Sequence, residues 1–279
     1  MSTLIDYYQL LLLGAFAGFT IFLGFPVALM NFSQKKKAFL NALAIGILVF
    51  LVIDVFGHAW ESVTTSVISS IAGRTPMIDG VTALITMFAG IAIGLIGLAI
   101  YESRYMKGTA KTESKLENNM VWKDAANIDR FKLATMIAIG IGAHNFSEGL
   151  SIGQSYVSGA IGLALLLIIG FAAHNATEGF GILGPLTSSE KRLPVSFLVR
   201  LGLIGGGPTF LGTLLGSIWV SPILYILFLS FAGGALVFVI LLMYSVAVRQ
   251  TSNKTIMTGI FIGLLFGFMT DLIVSIGGA

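Results

Sequence analysis

Apolar residues run along this chain in long blocks, not in the two-residue alternation of a half-buried strand. Blocks of about twenty residues or more extend from about Tyr8 to Met30, from about Phe39 to the mid-fifties or beyond, and from about Val81 to Tyr101. They resume from about Phe131 to Tyr156, Gly159 to Leu186, Val195 to Val220, Ile223 to Val248 and Thr255 to Ile276. A helix needs roughly 18 to 20 apolar residues to cross a bilayer. The pattern therefore predicts eight spanning helices. One polar stretch interrupts it: residues 102–129 mix Lys, Glu, Asn and Asp with few apolar positions and read as a flexible cytoplasmic linker. The other connections are short, so consecutive helices are expected to be neighbours, and residues 1–279 form a single transmembrane domain.

Composition agrees with the pattern. Of 279 residues, 56% are hydrophobic and only 10% charged, against about a quarter charged in soluble domains. The expected fold class is an all-α polytopic membrane protein whose main partner is the lipid bilayer. The 34 Gly fit close helix packing in such a bundle. The net charge of +3 matters through its placement. Of the 16 basic residues, all but Arg74 fall on one side of the predicted topology: Lys35, Lys36, Lys37, Arg104, Lys107, Lys111, Lys115, Lys123, Arg130, Lys132, Lys191, Arg192, Arg200, Arg249 and Lys254. The positive-inside rule then puts those loops in the cytoplasm and both termini outside, in a multi-pass protein of the cell membrane. No nucleic-acid partner is implied. The first apolar run is too long for a removable signal peptide and lacks its basic flank and small-residue cleavage pattern. The absence of cysteine excludes disulfides and thiolate ligands. Any metal is left to imidazole, carboxylate, amide or thioether groups.

One phrase occurs twice. Residues 143–149 read A-H-N-F-S-E-G and residues 173–179 read A-H-N-A-T-E-G, thirty positions apart. A single buried His or Asn in a span usually bonds a neighbouring helix. Ionisable groups at membrane depth nevertheless cost several kcal/mol on insertion scales, and they mark ion or substrate paths. Two matching pairs shift the balance towards a site. His144 and Glu148 stand four apart, as do His174 and Glu178, so each pair shares a helix face. Asn145 and Asn175 sit beside them. The fourth and fifth spans, joined by a short turn at Ser155–Ser158, run antiparallel and bring the motifs to similar depth. That relates them by a two-fold axis in the membrane plane, the inverted-repeat arrangement of transporters. Two ionised Glu and two neutral His make a pocket that a divalent cation would neutralise. The donor set suits zinc, iron, manganese, nickel or cobalt better than calcium or magnesium. In the second span Asp54, His58 and Glu61 follow at i, i+4 and i+7 as a stripe. Asp54 is the deepest, while His58 and Glu61 lie nearer the outer mouth as pathway or auxiliary groups. Glu61 alternatively lies past the helix end in water. Asp271, in the eighth span, reads as a structural hydrogen-bonding group.

The paired H-N-x-x-E-G on successive spans, with eight helices, outward termini and a long third connection, resembles the ZIP (Zrt/Irt-like protein) family of divalent-metal transporters, of prokaryotic type. The resemblance covers nearly the whole chain. It implies a symmetric bundle with helices four and five central and import of zinc, iron, manganese or cadmium into the cytoplasm, zinc foremost. It also implies a two-metal centre and a homodimer. His144, Glu148, His174 and Glu178 would form the primary position, and Asn145 and Asn175, sharing the two Glu, the second. The chain departs from the family pattern. Ser147 and Thr177 replace the usual Pro before each Glu. Gly205-Gly206-Gly207-Pro208 replaces a Glu-Pro in the sixth span, so the second position lacks a carboxylate and is expected to be weak or absent. Pro208 and its glycines suggest a broken helix. Leu48, in Gly46-Ile47-Leu48, occupies a position that often carries a ligand.

The expected function is therefore transport by alternating access. The divalent ion is cargo, no prosthetic group is involved, and the chain is not an enzyme. The competing reading is an intramembrane metal-dependent hydrolase. Zinc proteases usually carry H-E-x-x-H, which this chain lacks. A purely structural bundle leaves the duplicated His–Glu spacing unexplained.

Overall fold

A long apolar stretch must satisfy its backbone donors and acceptors internally, and the helix does so within one segment. The computed structural model describes residues 6–30, 32–105, 130–186, 193–219 and 221–278, and among these the regular elements are helices. They are α1 (Tyr7–Phe19), α2 (Ile21–Leu29), α3 (Gln34–Ile71), α4 (Met77–Tyr105), α5 (Arg130–Val157), α6 (Ile161–Leu183, then a 3-10 turn over Gly184–Leu186), α7 (Val195–Ile218), α8 (Pro222–Gln250) and α9 (Asn253–Gly278). Seven stretches are long and apolar enough to span a membrane, α1 and α2 counting together. Large side chains such as Ile53, Ile85, Phe88, Phe261 and Ile273 are more than half exposed. A water-soluble surface rarely carries so much apolar area. The chain is a multi-pass membrane protein. The eighth long helix, α5, is less apolar because it carries the polar motif. It packs against α6, α7 and α8.

The boundaries depart from the sequence pattern in specific places. The first apolar run is two helices meeting at Thr20. Its Oγ1 lies 2.6 Å from the Ala17 carbonyl and 2.7 Å from the Ala172 carbonyl of α6, tying the break to the bundle. Helix α3 runs to Ile71, within the open end of the expected range, because no proline between 55 and 71 stops it. At 1.5 Å per residue its 38 residues span about 57 Å, well beyond a ~30 Å hydrocarbon core. Glu61 is therefore inside a helix, not beyond its end. Helix α7 is continuous through Pro208, so the expected break is not there. Proline at 208 removes the donor for the Ile204 carbonyl, and Gly142 of α5 packs its Cα directly on that oxygen. The predicted linker over 102–129 falls outside the described residues from 106 onward. Lys107, Lys111, Lys115, Lys123, Lys191 and Arg192 fall outside them too.

Two tight connections use glycine in the left-handed region. Gly73 (φ 69°) ends α3, with Arg74 N bonded to Ser69 O at 2.9 Å. Gly159 (φ 82°) ends α5, with Ala160 N bonded to Ser155 O at 2.9 Å. The α5–α6 turn thus lies at 158–160, just past the expected place, and α5 and α6 are in contact as neighbours.

Helix α5 lies along α7, α6 along α1 and α2, α3 along α9 and α4 along α8. At the crossings a Cβ on glycine would strike the partner's backbone. Gly18 and Gly206 each abut the other's carbonyl, Gly149 meets Thr209 O, and Gly179 meets Ile21 O. Gly46 meets Ile260 O and Gly263, while Gly234 meets Ile91 O and Gly94 meets Phe231 O. The contacts recur in matched sets. Gly149 on Thr209 O answers Gly179 on Ile21 O, Gly46 on Ile260 O answers Gly234 on Ile91 O, and Gly263 on Leu43 O answers Gly94 on Phe231 O. From one set to the other, Gly18, Ile21, Leu43 and Gly46 map to Gly206, Thr209, Phe231 and Gly234 by one constant offset, and Ile91 and Gly94 to Ile260 and Gly263 by another. The main core, including Ile45, Leu48, Ile137, Ile141, Leu183 and Val239, fills the bundle beside the α3 and α5 N-terminal halves.

Candidate metal centre

Helices α5 and α6 bring the two copies of the motif together in the interior. His144, Asn145, Glu148, His174, Asn175 and Glu178 are all buried, none more than 8% exposed. His144 Nε2 lies 3.2 Å from Glu148 Oε1 and 4.0 Å from Glu178 Oε1. The 3.2 Å pair lacks hydrogen-bond geometry, and both imidazole nitrogens and all four carboxylate oxygens have no hydrogen-bond partner. His174 Nδ1 and the Oδ1 atoms of Asn145 and Asn175 are likewise unpartnered. Buried polar atoms are nearly always satisfied, and an unpaired buried charge costs several kcal/mol. His144, Glu148 and Glu178 thus set acceptor atoms close together in the interior, a chemistry that could hold a cation. No three His, Asp or Glu side chains among the described residues form a preset ligand shell, so closing one takes side-chain adjustment.

The chain around the cluster is fastened by the same motif. Asn145 Nδ2 donates to the Gly205 carbonyl of α7 at 2.9 Å, and Asn175 Nδ2 to the Ala17 carbonyl of α1 at 3.0 Å. Each amide is held by its nitrogen, and its oxygen is left over. The hydroxyls that precede each Glu bond back to the preceding turn, Ser147 to the His144 carbonyl and Thr177 to the His174 carbonyl, both at 2.7 Å. They occupy the acceptors without breaking either helix.

A comparison with known protein families finds no model that matches this chain, and none of the curated proteins matches it.

A cavity of about 610 Å³ leads to the cluster. Its walls include Asp54, His58, His144, Ser147, Glu148, His174, Tyr225 and Asp271. They come from the C-terminal halves of α3, α5 and α9 and the N-terminal halves of α6 and α8, which is one end of the bundle. Asp54 and His58 line it as the sequence stripe implied, with His58 Nε2 3.5 Å from Asp54 Oδ1. Glu61 is exposed on α3 and does not line it. Glu178, Asn145 and Asn175 lie out of the lining, buried deeper than the cavity wall. Leu48 is buried core, as an inert residue there should be. At Gly207 an added Cβ would meet nothing within 4 Å, so packing does not require a glycine there.

Three groups were not expected from the sequence. Asp271 lines the cavity near Asp54 and His58, and no hydrogen bond engages its side chain among the described residues. Thr270 Oγ1 lies 2.8 Å from His174 Nε2. Tyr225 lines the cavity opposite α5. A polar stripe on α5 (Ser147, Ser151, Gln154 and Ser155), followed by Ser158 in the turn, lines the cavity, and its helical period is a signal that the sequence reading passed over. Nothing in the local sequence singles out Tyr225.

Proposed function

We propose that this chain is a ZIP-like transporter that carries divalent transition-metal ions, zinc foremost, through the membrane into the cytoplasm. The observation that carries the reading is the buried set of unpartnered ligand atoms on His144, Glu148, His174 and Glu178. Imidazole and carboxylate together fit a first-row divalent cation. One primary position is built from these four residues. The Asn145 and Asn175 oxygens mark a second position that binds weakly, because Gly207 supplies no carboxylate.

Further features support the reading. Helix α5 serves as the eighth span, screened by its neighbours from lipid. The constant separations between matched glycine contacts support an inverted repeat that pairs α1–α4 with α7–α9 and α5 with α6. With the basic loops cytoplasmic, the cavity opens outward and the apolar core closes the inner side. The ion then enters from outside, exchanges water for the four ligands, and leaves when the inner packing opens. Uptake by purified protein in liposomes, with zinc, manganese or iron outside, tests this. Saturable uptake is expected in the wild type, with loss in Glu148→Ala and Glu178→Ala. Unchanged uptake of every transition metal in both variants would sink the proposal.

A further inference from the structure

The two copies of the motif are alike in sequence but differently held. Both nitrogens of His144 are unpartnered, whereas His174 has one partner, the Thr270 hydroxyl on α9, at 2.8 Å from Nε2. That hydroxyl also lies 2.8 Å from the Gly267 carbonyl and 3.0 Å from the Phe266 carbonyl of its own helix. A threonine hydroxyl has one proton and two lone pairs. With two carbonyls in reach, its proton is taken by its own helix, and what it offers His174 is a lone pair. A neutral imidazole likewise has one N–H. On Nδ1 that proton would be buried without an acceptor; on Nε2 it meets Thr270. The Phe50 ring, 6.2 Å away at an interplanar angle of 61°, flanks the imidazole from α3.

We infer that Thr270 is a positioning residue that holds His174 as the Nε2–H tautomer and so commits Nδ1 to the cation. This rests on His174 being a metal ligand. In the first copy Nε2 is the nitrogen set beside Glu148. The two copies thus use different imidazole atoms, and α9, which carries neither motif, takes part in setting the site.

The test is ¹⁵N NMR of histidine-labelled protein in bilayers. Three histidines keep the spectrum simple, and a His174→Asn spectrum assigns the resonances by subtraction. Metal-free wild type is expected to show His174 protonated at Nε2 and bare at Nδ1, and added zinc is expected to move Nδ1. Thr270→Val, close in shape but with no hydroxyl, loses the tautomer preference and about 10- to 100-fold in zinc affinity, as loss of an outer partner typically does. Thr270→Ser restores both. A wild-type His174 protonated at Nδ1 overturns the inference, as does a Thr270→Val protein with unchanged tautomer and affinity. If the tautomer is as expected but zinc moves neither nitrogen, the lock stands and the assignment of His174 as a ligand falls.

Discussion

Exchanging Glu178 for Gln keeps the side chain's shape and one carbonyl oxygen while removing a negative charge. Without metal, the carboxyl is buried with both oxygens unpartnered, so it must either carry an uncompensated charge or take up a proton. A buried carboxylate without a partner costs several kcal/mol, an unsatisfied amide only about 1 to 3. Metal-free Glu178→Gln should therefore be at least as stable as wild type. With metal the sign reverses. The 4.0 Å separation between Glu178 Oε1 and His144 Nε2 sets the scale of the pocket. At an effective dielectric of about 20, a unit charge pair at that distance is worth about 4 kcal/mol. The ion is divalent, but the retained carbonyl and the reduced desolvation offset much of the difference. A net loss of about 3 to 4 kcal/mol, or roughly 100- to 1000-fold in zinc affinity, is expected. Denaturant unfolding in mixed micelles, with chelator and then with zinc, reads both signs, and calorimetric titration gives the affinity. A variant that is destabilised by more than about 1 kcal/mol without metal, yet keeps the full zinc stabilisation, would show that the carboxylate is a structural group and the reasoning wrong.

Other consequences can be checked directly. Because the chain has no cysteine, Ser151→Cys and Ser155→Cys on the cavity wall should react with a membrane-impermeant thiol reagent added outside, while Ile137→Cys and Ile141→Cys in the core should not. Gly206→Val at the α1–α7 crossing should lower the yield of monodisperse protein and cost about 1 to 3 kcal/mol, as overpacking does; normal yield and midpoint would contradict the backbone contact. Thr20→Val should lose about 1 kcal/mol through the Ala172 carbonyl bond, seen as a lower unfolding midpoint with zinc affinity unchanged.

The sequence showed the helices because blocks of apolar residues are a one-dimensional signal. It brought out the two motifs that meet in the interior because His–Glu at i, i+4 is local and was repeated. The break at Thr20 was not legible, since it depends on a carbonyl of α6 brought near only by folding. The length of α3 was hidden because hydropathy marks the membrane portion of a helix, not where the helix stops. Pro208 misled for the opposite reason. A local rule predicts a break, but α5 packs at Gly142 directly against the orphaned Ile204 carbonyl, which only packing reveals. Asp271 was read as structural because its neighbours in space, Asp54 and His58, lie far away in sequence.

The glycine crossings also bear on where this protein can move. Where backbone meets backbone there is no rotamer to change, and sliding would force a carbonyl through a Cα. Such joints bind α5 to α7, α7 to α1 and α6 to α2, while a separate set binds α3 to α9 and α4 to α8. Between the two sets the contacts are side chains: Val239 Cγ2 against Gly140, and Ala44 and Met243 against Gly181. Those are soft joints, able to repack. Both His–Glu pairs belong to the first set, so an ion held by them as proposed would travel with its seat instead of being handed from wall to wall, and the Thr270 contact to α9 would have to break as it moves.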